Sequence, residues 1–331
     1  MQDRRTFIQR TVAGGTGAAS LVFAGCIGGS GGGDGDFPSE QFRGVIPWGQ
    51  GGGTDIFTRE IWQEIADSND VSVGFENVTG AAGVRGITEL YGSAPDGYTI
   101  SPMNSPSVVP LLTQDPGFTI DEFRHIGAYT QTVWVLVTDP ELGLNDFEEV
   151  VQAYEDGEIE SISGQSPGEP NHVLAESLKS ELDVPWENYV AYDGSGPVIQ
   201  AVASGEVSAG IVTETAAADA EDQIDVLTAL SSEGSPVFPD LPVYTDYGYE
   251  AEIDFMGQFL RSFMVPPDTP DERVDILNEA LQTALESDEL QSWADETGNH
   301  LEYLGGEEEV LAVLEENQER IPEIIDLDDL E

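Results

Sequence analysis

The chain holds one cysteine, one lysine and three histidines in 331 residues, and each scarcity removes a class of explanation. A lone Cys26 forms no internal disulfide, and no cysteine follows it to serve thiol catalysis or a cysteine metal site. His125, His172 and His300 are far apart, and no H-E-x-x-H, G-x-S-x-G or close metal-ligand cluster occurs. His172, near the start of a helical stretch, reads as a surface or capping residue. No catalytic residue, metal or cofactor is therefore expected, and an extracellular hydrolase is the alternative these gaps argue against. Lys plus Arg number only 11, so no basic patch exists to neutralise phosphates and nucleic acid is excluded as a partner. Long apolar runs are also missing. The best stretch, 12–24, is too short and too rich in glycine to span a bilayer.

Acid is abundant instead. Asp plus Glu number 64, for a formal net charge of −53. In dilute buffer such a surface repels itself and destabilises the compact state. At molar salt the Debye length falls to about 3 Å and the repulsion is largely screened. Blocks of acid can also form a disordered tail or bind basic partners. Here the acids are spread among apolar residues at regular spacing, so the pattern reads as the surface of a halophilic protein.

The first 26 residues read as a processing signal. Arg4-Arg5-Thr6-Phe7-Ile8 has the twin-arginine pattern, and Phe23-Ala24-Gly25-Cys26 has the small residues of a lipoprotein cleavage site. Lipidation of Cys26 would give the lone thiol a use, in place of a buried free thiol. The expectation is export by the twin-arginine route and lipid anchoring at the extracellular face of the membrane. Residues 27–37 form a glycine-rich linker. About ten such residues reach roughly 17–19 Å, enough to hold a folded body clear of the surface.

About 295 residues remain, enough for two domains with a core in each. From Phe42 onward short apolar strands alternate with amphipathic helices, the pattern of an α/β fold with parallel strands and crossover helices. Strands are expected at 43–48, 71–76, 98–103, 159–163, 189–192, 207–212 and 226–230. Helices are expected at 55–66 and 83–91, from near Asn171, Pro197 and Thr215, and through most of 270–321. Leu174, Leu178 and Leu182 repeat at four-residue spacing, and Val274, Leu277, Leu281 and Leu285 line one helix face.

Four strand-to-helix turns are small and polar: Pro47–Asp55, Thr79–Gly83, Ser163–Gly168 and Tyr192–Pro197. Each should set bare backbone N–H groups at a helix start, a site for anions. In open α/β sheets such turns gather at the carboxyl ends of strands. Any single turn can equally be tight geometry, with Thr54, Asp55 or Ser195 as a helix cap. Four of them, two in each half, point to a shared cleft. A nucleotide reading of Gly49-Gln50-Gly51, with Glu76 as the ribose acid, lacks the third glycine, because Thr54 stands there. No Gly-Lys-Ser/Thr phosphate loop exists.

At these turns the chain resembles the substrate-binding proteins of tripartite tricarboxylate transporters, the Bug-type receptors. Ile46-Pro47-Trp48-Gly49-Gln50-Gly51-Gly52-Gly53-Thr54-Asp55 with Arg59 is similar to the opening motif. Asn77–Gly86, Ala94-Pro95-Asp96-Gly97-Tyr98-Thr99, Val190–Pro197 and Pro239–Tyr244 resemble later ones. The resemblance implies a periplasmic-binding-protein type II fold: two α/β lobes with a ligand cleft between them. Lobe 1 would hold 38–130 and 258–331, and lobe 2 would hold 131–257. It implies a monomer that binds a small organic carboxylate, of the di- or tricarboxylate kind, and delivers it to membrane permease subunits. The family's ligand contacts carry over to Trp48, Gly52, Gly53, Thr54 and Asp55, to Ala81, Ala82 and Gly83, and to Asn104 and Ser105. In the second lobe they carry over to Gln165, Ser166, Tyr192, Gly194, Ser195, Thr213 and Glu214. Asp193 stands where the family often has lysine. Arg85 is unusual at a helix start, and either lies exposed or faces the cleft and grips a second carboxylate. A ligand-binding sensor, or a receptor of another transporter type, shares every one of these features.

Overall fold

The computed structural model describes residues 37–325, so the leader, Cys26 and most of the linker lie outside the described residues. The strands are β1 (Phe42–Ile46), β2 (Val73–Asn77), β3 (Thr99–Asn104), β4 (Arg124–Thr138), β5 (Ser161–Gly164), β6 (Asn188–Ala191), β7 (Ala209–Thr213), β8 (Asp225–Ala229) and β9 (Gln258–Val265). The helices are α1 (Gly53–Ser68), α2 (Val84–Tyr91), α3 (Val109–Gln114), α4 (Phe147–Glu155), α5 (Pro170–Glu181), α6 (Ser195–Ala203), α7 (Glu214–Ala218), α8 (Asp254–Gly257), α9 (Asp271–Leu285), α10 (Asp288–Thr297) and α11 (Glu307–Ile324). Among the described residues no helix is long and apolar enough to cross a membrane.

One nine-stranded sheet runs β2-β1-β3-β9-β4-β7-β5-β6, with β8 added on β4. The outer strands are parallel, as the alternating pattern predicts. The middle corrects the expectation of parallel strands: β9 is antiparallel to β3 and β4, and β4 is antiparallel to β7 and β8. The reason is connectivity. β4 leaves the first half and β9 re-enters it, so they run in opposite senses. Over 124–133, β4 pairs with β9, and from Trp134 onward it pairs with β7 and β8. The run from Val133 to Val137 is apolar without alternation because it is covered on both faces.

The helices bury the residues their spacing predicts. On α1, Phe57, Ile61, Trp62 and Ile65 face the core, and on α9 Val274, Leu277, Leu281 and Leu285 do. They share a cluster with Phe42, Tyr129 and Phe263. Full burial of each such aliphatic side chain contributes roughly 1.5–3 kcal/mol. A second cluster, around Val198, Val202 and Val212, belongs to the other half. A third runs through both halves, from Ile87 and Met103 to Leu174 and Trp186, with Val310 and Leu314 of α11 within it. α11 thus seals one side of both halves.

Its first turn is fixed by charge. Glu307 takes two hydrogen bonds from Arg124, at 2.7 and 2.8 Å, and one from the His125 backbone N–H at 3.0 Å. Beside it the His125 ring is fully buried, with Nε2 3.3 Å from the Ile120 carbonyl. Burial pushes this imidazole down to about 4 from the ordinary 6.5, so it stays neutral in the fold. The unfolded chain takes up a proton between those values and the folded chain does not. Stability therefore rises with pH across that window and is lost as pH falls through it, by roughly 3 kcal/mol at the acid end. Chemical denaturation of wild type and His125→Asn between pH 4 and 7 should show a shallower pH slope for the variant. Parallel slopes would exclude His125 as the cause.

The return crossing is equally tight. A Cβ on Gly257 would lie 1.6 Å from the Leu230 carbonyl oxygen, which is backbone and has little room to retreat. Gly257→Ala should cost about 3 kcal/mol or more, read as a lower denaturation midpoint. A midpoint equal to wild type would mean the two segments part easily.

Candidate functional site

Register places the turns. β3 ends at Asn104, opposite Arg261 on β9, which in turn lies opposite Thr130 on β4. β1 and β2 run parallel to β3, so their carboxyl ends point the same way. In the other half β7 ends at Thr213, opposite Trp134 of β4, with β5 and β6 parallel to it. The two sets of carboxyl ends therefore face each other across the crossing segment of β4. Thr130 and Trp134 are separated by about 13 Å of extended strand, which suits a small molecule.

The helices that start at this gap lack side-chain caps. Gly52 before α1, Gly83 before α2, Gly194 before α6 and Thr213 before α7 make no capping hydrogen bond. Elsewhere α4 and α10 are capped by Asp146 and Ser287, while α8 and α9 also lack a side-chain cap. At α1 and α6 open N–H donors and the positive end of the helix dipole thus remain where the turns converge, whereas Gly83 N and Arg85 N at the start of α2 already donate to the Gly80 carbonyl.

In the first half, Asp55 does not cap α1. Its carboxylate is 2% exposed and is used up inside the loop. It accepts from Gly51 N at 2.9 Å, from Arg59 Nε at 2.9 Å and from Asn77 Nδ2 at 2.8 Å. Burial pushes this carboxyl up, but those hydrogen bonds outweigh it and hold it below its ordinary value. Asn77 also donates to the Trp48 carbonyl at 2.9 Å, and the Trp48 indole lies against Gly83. The β1–α1 and β2–α2 turns are therefore one unit. Within it Ala81 and Ala82 have φ of 50° and 49°, left-handed conformations that cost an alanine roughly 1–2 kcal/mol each. Gln114 steadies this turn by donating to the Ala81 carbonyl at 3.2 Å. Such strain persists where the surroundings impose it, often at binding loops. Arg85 is exposed, its stem over Gly80. Ser105 is buried and its hydroxyl accepts from Leu260 N at 3.1 Å, which locks β9 in place.

In the second half, Gln165 is held by its backbone: its N–H donates to Asn171 at 3.0 Å and its carbonyl accepts from Tyr189 at 2.7 Å. Ser166 is exposed beside it. His172 accepts from Gly168 N at 3.2 Å and so acts as a lock for this turn. Ser195 accepts from Thr213 N at 3.4 Å, which brings the β6–α6 and β7–α7 turns together. Tyr192 packs against the apolar cluster of this half, and burial, then Glu206, pushes its hydroxyl up. Glu214 is 2% exposed. It accepts from Val133 N at 3.0 Å and from the Ser235 hydroxyl, tying α7 to the crossing segment. Burial raises its carboxyl, with Ser235 and the backbone of Val133 opposing. Asp193 is exposed.

Sequence reasoning overlooked Arg261. It reaches from β9 to Thr54, with Nη1 2.5 Å from Oγ1, and Thr54 lies 3.2 Å from Asn104 Nδ2. Its Nε is 3.5 Å from Thr132 Oγ1, and its guanidinium is 4.7 Å from the Phe259 ring centre and 5.6 Å from that of Phe57. No carboxylate pairs with it among the described residues. Burial draws it below its ordinary value, with Tyr129 opposing. An unpaired charge on a half-buried side chain carries a desolvation cost, which hydroxyls and ring faces offset only in part. One signal was legible: a cation inside the apolar run Phe259–Val265 of a chain with only 11.

Two concavities away from these turns suit an anion poorly. One of about 460 Å³ is lined by Ile224, Phe238 and Leu241 with three acids, and one of about 510 Å³ is walled largely by acids of α4. Among the described residues no cluster of His, Cys, Asp or Glu could hold a metal ion.

The family model described as Tripartite tricarboxylate transporter family receptor matches residues 57–329. The chain belongs to this family. It is a receptor, working in the periplasm or outside the cell, and not an enzyme. Protein BugT of Bordetella pertussis is 27% identical over 259 residues, 76% of this chain and 78% of the relative. A TctC solute-binding protein from Polaromonas, solved without ligand, superposes with a TM-score of 0.77 at 19% identity, covering 88% of this receptor and 99% of that chain. MatC from Rhodopseudomonas palustris, with bound malate, gives 0.66 at 23%, over 88% and 99%. A second R. palustris protein, with adipate, gives 0.69 at 20%, over 88% and 98%. These likenesses confirm the α/β binding-protein fold.

The Asp55 network gives a direct test. Asp55→Ala leaves Arg59 and Asn77 without their shared partner and frees the β1–α1 turn. Thermal or urea unfolding in molar KCl should show a loss of about 2–3 kcal/mol. An unchanged midpoint would show that the turn holds itself.

Proposed function

We propose that this receptor captures a small organic dicarboxylate between its two halves and delivers it to a tripartite permease in the membrane. The observation that carries the reading is the two sets of helix starts without side-chain caps, α1 and α2 against α6 and α7, facing each other across β4. Each end of an acid with two polar ends then meets backbone donors from a different half. A ligand bound from both sides stabilises a closed arrangement by its differential affinity. Malate and adipate in two related structures favour ligands of this size and charge.

The finer features follow the sequence. The two lobes divide at 130/131 and 257/258, close to where β4 changes partners. Gly52, Gly53, Thr54, Ala81, Ala82, Gly83 and Trp48 face the ligand from one side, with Asn104. Gln165, Ser166, Gly194, Ser195 and Thr213 face it from the other. Asp55, Ser105, Tyr192 and Glu214 hold those turns in shape. Twin-arginine export and a lipid on Cys26 keep the body near its permease, and the acid surface suits molar salt.

Thermal unfolding in molar KCl against malate, adipate, citrate and acetate checks this. A hundredfold excess over Kd stabilises by about 2.7 kcal/mol, a shift of several degrees. The dicarboxylates should give it and acetate should not. Silence toward every acid would sink the carboxylate reading.

A further inference from the structure

Resting on that receptor reading, we propose that Arg261 is the ionic anchor of the bound acid, so that one carboxylate is obligatory and the other end of the ligand is not. The charge inventory leads there. Arg43 pairs with Glu76 and Glu89, Arg59 with Asp55, Arg124 with Glu307 and Arg320 with Glu316. Arg85 and Lys179 are exposed, and Arg273 donates to the Asp96 carbonyl and lies over Phe37 and Tyr98. Among the described residues Arg261 is the one half-buried cation at the gap without a carboxylate partner, and its hydrogen bonds go to hydroxyls.

Its surroundings fit an anion. The guanidinium lies 3.5 Å from where a Cβ on Gly53 would stand, so it sits in contact range of the first residue of α1. Gly53 is exposed and is the first residue of α1, whose N–H donors are free. Phe259 and Phe57 hold the guanidinium by their ring faces, which leaves its N–H edge for a planar, bidentate acceptor. Arg261 is also central to the sheet, opposite Asn104 on one side and Thr130 on the other. An acid bound to it therefore touches both strands beside the crossing.

Among the described residues the opposite wall has no cation. Gly194, Ser195 and Thr213 present backbone and hydroxyl groups, and the nearby Asp193 is acidic. Those groups accept a carboxylate, an amide or a hydroxyl with little preference. The inferred ligand class is a short chain with one carboxylate and a polar far end.

Calorimetry in molar KCl with malate and adipate, each with its monoamides and diamide, tests this on wild type, Arg261→Gln, Arg261→Lys and Arg85→Gln. In wild type, an acid and at least one of its monoamides should bind within about tenfold of each other and the diamide should fail. Arg261→Gln should lose roughly a hundredfold or more for the acid, Arg261→Lys should recover part of it, and Arg85→Gln should match wild type. The empty Arg261→Gln chain should melt no lower than wild type, because the variant removes an unpaired charge. If wild type binds an acid and Arg261→Gln binds it within threefold, the anchor is overturned while the receptor stands. A diamide that binds wild type as tightly as its acid overturns it too. A lower melting point with unchanged affinity makes Arg261 a strut. If wild type binds neither acid, the receptor reading fails and takes the anchor with it.

Discussion

Everything in this molecule hangs on the pairing of β4 with β9. These strands carry the chain out of the first half and back into it, and their antiparallel register fixes where each half ends. Asn104, Arg261 and Thr130 form one row across β3, β9 and β4, and Thr213 meets β4 four residues further on, at Trp134. That short interval sets the width of the gap between the turns. Ser105 on Leu260 N and Glu214 on Val133 N then pin the turn from each half to the same two strands. A single register shift would turn every side chain in this row to the opposite face of the sheet.

Charge works on two scales here. At long range a body of −53 opposes any approaching anion, and the opposition is strong in dilute buffer. At molar salt it fades beyond about 3 Å, and only groups in contact with the ligand matter. A site suited to that condition needs donors at contact distance rather than a broad basic field. Backbone N–H groups supply them without titrating, and Arg261, half-buried and without a carboxylate partner among the described residues, adds a positive charge beside the gap. The same scarcity explains the turn unit around Asp55. With few cations to spend, a paired Arg59 is committed to loop shape and is not available to a ligand.

The α/β alternation was legible because it rests on local pattern. The leucines of α5 and α9 lie buried at the spacing read from sequence. The glycine-rich turns were legible too, since few other residues leave N–H groups so bare. The direction of β4 and β9 was not, because an apolar run covered on both faces looks the same in parallel and antiparallel pairing. Among the site residues, Trp48 and Gly83 do meet, as do Ser195 and Thr213. Asp55 carries a motif position yet faces inward, and no local pattern distinguishes a carboxylate that binds backbone from one that binds ligand. Arg261 stands 207 residues from Thr54, so only the sheet register reveals that they touch.

A closing movement of such a body has few places to go. α11 packs on the turn after β3 and also on α5, and its cluster is continuous through both halves. The Arg124–Glu307 pair and the close approach of Gly257 to Leu230 resist separation on that side. Rigid sliding of one half over the other would break this packing, which interiors at near-crystalline density do not tolerate. Twisting of β4 and β9 is the softer motion. The β4–β9 register already slips between His125 and Gly127 and again between Ala128 and Thr130, and bulges of this kind bend strands locally. The second slip lies next to the row that contains Arg261. A ligand held there sits beside the axis of motion, where a small change in strand twist moves the far turns most and the anchoring contact least.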